Sequence, residues 1–252
     1  MKIEKYTLCN MLLLALAAYC IIAMVIEGPI AQDLTYHNFT DQAALWGIPN
    51  FANVISNLGF LAAGLWGLGQ SRKNLACNDY KTAYLIYCLG VVLTAFGSSW
   101  YHLFPSNGTL VWDRLPMTVS FMSLFSLIIR DFVHEKLGRK ILIPGLLLGA
   151  ASIAYWHLSE QMGAGDLRPY FLVQFLPLML FPVILICYKP QYGHRLYFVL
   201  ALLFYLLAKA AESFDSDLYQ ALGPGFSGHT IKHILAAIGS YYALKIFLKA
   251  RI

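Results

Sequence analysis

YKTAYLIYCLGVVLTAFGSSWYHLF, residues 80–104, carries one lysine at its start and no other Lys, Arg, Asp or Glu. That is long and apolar enough to cross a bilayer as a helix. Its polar residues gather at the far end, in Gly97-Ser98-Ser99-Trp100-Tyr101-His102. On a helix Ser98 and His102 share a face, because residues four apart stack one turn above the other. Polar groups are costly in lipid, so this pair calls for a partner.

Outward from that stretch, the chain repeats the pattern. Of its 252 residues, 59% are hydrophobic and 12% charged, against about 25% charged in a soluble domain. Further apolar runs lie at about 7–26, 51–70, 111–131, 140–158, 169–188, 195–213 and 227–249, so eight membrane spans are expected. The first follows Lys2 and Lys5, is long, and has no clean small-x-small cleavage site after it. It reads as an uncleaved anchor helix rather than a signal peptide. We divide the chain into an anchor and following segment, 1–44, and a helical unit, 45–252.

Loop charge alternates. Basic loops hold Arg72, Lys73 and Lys81; Arg130, Lys136, Arg139 and Lys140; Lys189 and Arg195; and, in the tail, Lys245, Lys249 and Arg251. Those between them are neutral or hold acids such as Glu27, Asp33, Glu160 and Asp215. Basic loops mark the cytoplasmic side, which puts both termini inside. The short loops suit a bacterial inner membrane. The net charge of +5 reads as this topology signal. It does not point to nucleic acid, since no basic patch is interleaved with aromatics. The five cysteines are scattered, so neither a disulfide framework nor a Cys-ligated metal is expected.

The topology brings distant residues to one depth. His102 ends one span, Asp113 begins the next, and His229-Thr-Ile-Lys-His233 opens the last, all on the extracytoplasmic side. Three imidazoles with an open fourth position suit a catalytic zinc. Each residue also has a plainer reading: Ser98 bonding its own helix, Asp113 capping a helix or pairing with Arg114, His157 packing alone. Lys209 and Glu212 read as an ion pair, and Ser56-Asn57 as a helix-packing step.

The pattern Gly97-Ser98-x-x-x-His102, Asp113-x-Leu115-Pro116-Met117 and His229-x-x-x-His233, with Asn53-x-x-Ser56-Asn57 upstream, resembles the alkaline ceramidase family. The wider group of seven-helix zinc proteins includes the progestin and adiponectin receptors. The resemblance covers about residues 45–250 and implies an all-α seven-helix bundle, here with one extra N-terminal transmembrane helix. It implies zinc on His102, His229 and His233, Asp113 handling the proton of the water, and Ser98 stabilising the oxyanion. The substrate implied is a membrane lipid amide, ceramide-like. Two positions depart from the pattern. Asn50 stands where eukaryotic members have an acidic calcium ligand, and Arg114 where they have Glu. The first leaves calcium unsupported, and the second puts a cation beside the site, able to attract an anionic headgroup.

Other readings fit less well. His-Glu-x-x-His zinc proteases need a Glu that residues 229–233 lack. A rhomboid-like serine at Ser227 needs a histidine on a later helix. The expectation is a membrane zinc-dependent lipid amidase; the alternative is a zinc-containing receptor or structural membrane protein without turnover.

Overall fold

The computed structural model describes residues 2–72 and 74–249, and among them every regular element is helical. Lys73 and Arg251, counted above among the basic loops, lie outside them. Helix α1 (Lys2–Glu27) leads into a strap, residues 28–50, with one 3-10 turn at Leu34–His37. Helices α2 (Phe51–Ser56) and α3 (Leu58–Gln70) form one span broken at Asn57. Then come α4 (Lys81–Leu103), α5 (Asn107–Ile128), α6 (Glu135–Gln161), α7 (Arg168–Cys187), α8 (Arg195–Ser213), the short α9 (Asp215–Leu222) and α10 (Gly228–Lys245).

Seven segments, from Tyr6–Glu27 to Arg195–Ser213, are long and apolar enough to cross a membrane, and the chain is an all-α multi-pass membrane protein. The eighth expected span, 227–249, contains α10, which takes its place in the bundle between α8 and α3. It is shorter and more polar than the seven, because its 18 residues include His229, Lys232, His233 and Lys245.

Helices α3 to α7 follow one another around a ring that α8 and α10 complete. Within it α7 and α8 touch least, bridged by Gln174 Nε2 donating to Tyr205 Oη at 3.0 Å. Helix α1 lies outside the ring along α7. The α4–α5 pair is the tightest, and Gly97 allows it: a Cβ there would collide with the Trp112 carbonyl. A large apolar cluster fills the end away from the strap, around Tyr84, Leu127, Ile184 and Leu244. A smaller one, around Phe39, Tyr101, Leu110 and Trp156, lies under the strap.

Two findings depart from expectation. Cys9 and Cys187 are joined by a disulfide that ties α1 to α7; their separation of 178 residues hid the pairing from the sequence. Arg130, expected in a basic loop, is buried with Asp131 on a π turn, Ile129–Val133, that carries α5 almost directly into α6. Burial is sustained because Asp131 accepts three hydrogen bonds, from Tyr80 Oη at 2.8 Å and the backbone of Tyr192 at 2.9 Å and Gly193 at 3.0 Å. The Arg130 guanidinium lies over the Tyr80 ring.

Candidate metal centre

Helix α4 ends one residue after His102, so this side chain emerges where the helix opens at the strap end. Helix α10 begins at the same level. Its N-cap, Ser227, accepts from Thr230 N at 3.2 Å, and the His229 N–H, which no intrahelical carbonyl can reach, donates to Asp215 Oδ1 at 2.7 Å. Both caps are occupied, which sets the first turn so that His229 and His233 project together into the bundle. Ser227 thus has a capping role and no histidine partner of the kind a serine protease needs.

The three rings meet. His102, His229 and His233 are 1%, 6% and 4% exposed, and every pair of ring centroids lies 4.9 Å apart. His102 Nε2 and His229 Nε2 face each other at 3.3 Å. Three nitrogens about 2.0–2.1 Å from a tetrahedral metal would stand roughly 3.3–3.4 Å apart, the edge of that tetrahedron. The triad could therefore hold one metal ion.

One outer partner prepares the His233 ring for this. Ser56 Oγ lies 2.8 Å from His233 Nδ1 and also donates its only proton to the Asn53 carbonyl at 3.0 Å. Its oxygen must then accept from Nδ1–H, which leaves Nε2 with a free lone pair. Asn53 Oδ1 accepts from Thr230 Oγ1 at 2.8 Å, and Asn50 Nδ2 donates to the His102 carbonyl at 2.8 Å. The break between α2 and α3 falls at this point.

Asp113 sits in the second turn of α5, whose N-cap is Ser106; it is therefore neither a cap nor paired with Arg114. Its carboxyl lies close to the Ser98 hydroxyl instead. Both line a cavity of about 550 Å³ together with His233. Lys209 and Glu212 pair as expected, and Lys232 joins them at 2.8 Å from Glu212 Oε1. His157 bonds only to Gln161, away from the site.

The strap closes the centre from its own end. Phe39 is 4% exposed, and its ring centroid stands 4.6 Å from that of His102 and 5.0 Å from that of His229. Asp41 Oδ2 accepts from Gly225 N at 2.7 Å, and Glu160 Oε1 accepts from Gln32 N at 2.7 Å, so both ends of the strap are fastened. Asp166, in the loop before α7, accepts from Ile30 N and from Arg168, whose guanidinium holds the carboxyl down to about 2.

All five residues singled out in the sequence thus converge on one cavity wall or one ring triad. Reading the sequence for chemistry missed Ser56 as the partner of His233, the strap residues Gln32, Tyr36 and Phe39, and Lys232. Ser56-Asn57 did stand out there as a polar step in an apolar run, and its proximity to a histidine in another span is what only the fold supplies. No protein-family model matches the chain, and no curated protein matches it.

Proposed function

We propose that the protein is an integral-membrane, zinc-dependent hydrolase of lipid amides, with His102, His229 and His233 as the metal ligands. The observation that carries the reading is the shared cavity: Ser98, Asp113 and His233, one of the three clustered imidazoles, line the same largely apolar space. When bound, zinc supplies Lewis acidity and lowers the pKa of a coordinated water to about 7. Asp113 takes the proton of the attacking water and delivers it to the leaving amine, as a carboxylate within hydrogen-bond reach can do in both directions. Ser98, close to Asp113, offers its hydroxyl to the oxyanion as the carbonyl becomes tetrahedral. A site with three protein ligands and an adjacent carboxylate suits turnover, whereas structural zinc is usually closed by four.

The cavity supports a lipid substrate. From Asp113 its wall follows α5 through Met117, Phe121 and Leu124 to Ile128, about 22 Å at 1.5 Å per residue. That is roughly three quarters of the hydrocarbon core of a bilayer. An acyl chain entering between α7 and α8, the loosest contact of the ring, would lie along it with its amide at the imidazoles. By the loop charges, both termini are cytoplasmic and the centre faces the extracytoplasmic side.

The test is metal analysis of protein purified without chelator, followed by a lipid-amide hydrolysis screen read by mass spectrometry. About one zinc per chain and release of a fatty acid are expected. Folded, metal-free protein would overturn the site, and a metal-replete protein with no turnover across the screen would favour the receptor or scaffold alternative.

A further inference from the structure

Arg114 is 6% exposed, lines the cavity, and has an Nη1 atom with no hydrogen-bond partner among the described residues. Its other contacts are neutral. Nη2 donates to Gln32 Oε1 at 2.7 Å, and the guanidinium carbon stands 4.6, 4.9 and 5.7 Å from the ring centroids of Trp156, Tyr170 and Tyr36. Aromatic faces and one amide oxygen orient the group, yet they supply no counter-charge. Among the described residues no carboxylate forms an ion pair with it: Asp113 feels its charge only at a distance, Glu212 pairs with Lys209 and Lys232, and Asp33 accepts from the Thr35 backbone. A buried guanidinium with no direct ion-pair partner and one bare N–H is unfavourable unless something that enters the cavity completes it. A staple between the strap and α6 would need only the stacking and Gln32; it would not need a bare N–H facing the cavity.

The position of Arg114 along the cavity decides which part of a substrate it meets. It lies at the strap end with Gln32, Tyr36 and Tyr170, one residue from Asp113, while the apolar shaft runs from the imidazoles the other way. With the tail in the shaft and the amide at Ser98 and Asp113, the group beyond the amide nitrogen reaches Arg114. Resting on the hydrolase reading above, we propose that the substrate is an anionic lipid amide whose amine half carries an oxyacid group, a carboxylate, sulfonate or phosphate, seated on Arg114. A guanidinium is suited to this, because its planar fork matches an oxyanion with two parallel N–H donors.

The experiment compares N-palmitoylglycine with its methyl ester and with ceramide on metal-replete full-length protein. Wild type is expected to show a kcat/KM about 10–100-fold higher for the acid than for the ester, the factor a charge-assisted hydrogen bond supplies. Arg114→Gln should bring that ratio near one, and Arg114→Lys, which keeps the charge without the fork, should leave it in between. N-acetylglycine, which has the acid and no tail, should neither turn over nor compete, separating a lipid headgroup from a free small anion. Equal wild-type use of acid, ester and ceramide overturns the assignment, as does a preference that survives Arg114→Gln or full competition by N-acetylglycine. If no amide is hydrolysed, the hydrolase reading fails separately, and binding decides this one. Stabilisation against thermal unfolding by N-palmitoylglycine over its ester, lost in Arg114→Gln, upholds the Arg114 site; equal stabilisation refutes it.

Discussion

Replacing Ser56 with alanine removes the hydroxyl that faces His233 Nδ1 at 2.8 Å and fixes which nitrogen of that ring carries the proton. In the wild type the serine proton is committed to the Asn53 carbonyl, so the oxygen accepts from Nδ1–H and the Nε2 lone pair points at the other two rings. In Ser56→Ala the metal-bound form must still hold the proton on Nδ1, now short of an acceptor in a side chain that is 4% exposed. The metal-free form escapes by moving the proton to Nε2. The penalty therefore falls on the loaded state, and an unsatisfied buried donor costs about 1–3 kcal/mol. That agrees with the roughly 10–100-fold in metal affinity typical of groups that orient a ligating histidine. The Asn53 carbonyl also borders this ring and can take part of the load; we therefore expect about tenfold. A competitive chelator titration of wild type and Ser56→Ala, with Ser56→Thr as the variant that keeps the hydroxyl, measures it. An affinity unchanged within twofold, with His233→Ala still releasing the metal, would refute the claim that Ser56 sets the tautomer.

Asp113→Asn should retain the metal and lose hydrolysis by roughly 10²–10⁴-fold, the usual contribution of acid–base catalysis; turnover that survives would remove Asp113 from the mechanism. Ser98→Ala should also keep the metal and slow hydrolysis by about 10²–10³-fold, measured under saturating substrate. Gly97→Ala forces a methyl group against the Trp112 carbonyl and is expected to destabilise the protein by about 1–3 kcal/mol, read as a lower midpoint of thermal unfolding in detergent. Tags at either terminus should be protected in sealed right-side-out cells and a tag in 212–226 accessible; an exposed C-terminus would reverse the side assigned to the centre.

The spans were legible because lipid leaves no alternative to apolar helices, and their lengths follow from bilayer thickness. The centre was legible for a related reason: imidazoles and carboxylates in such runs are conspicuous, and loop charge brought His102, Asp113 and His229 to one depth. Hydropathy carries no information on azimuth, so it could not place Ser56 against His233 or Cys9 beside Cys187. Nor could it show that Arg130 and Asp131 turn inward, since a charged pair between two apolar runs looks like a loop until Tyr80 and the backbone of Tyr192 and Gly193 arrive from elsewhere. The strap was the largest omission. Residues 28–50 have no periodicity to read, and their order comes from side chains on α6 and from the α9–α10 connection, such as Glu160 and the Gly225 backbone.

Phe39 sits on two of the three imidazoles, and the strap that carries it is fastened on both sides. The Phe39 ring thus covers His102 and His229 from the strap side, while His233 borders the cavity that on the proposed reading a lipid would use. On that reading, ion and lipid would share a doorway. A resident acyl chain would slow escape of the ion without touching it, so that retention time, and not only equilibrium affinity, would depend on whether the cavity is filled.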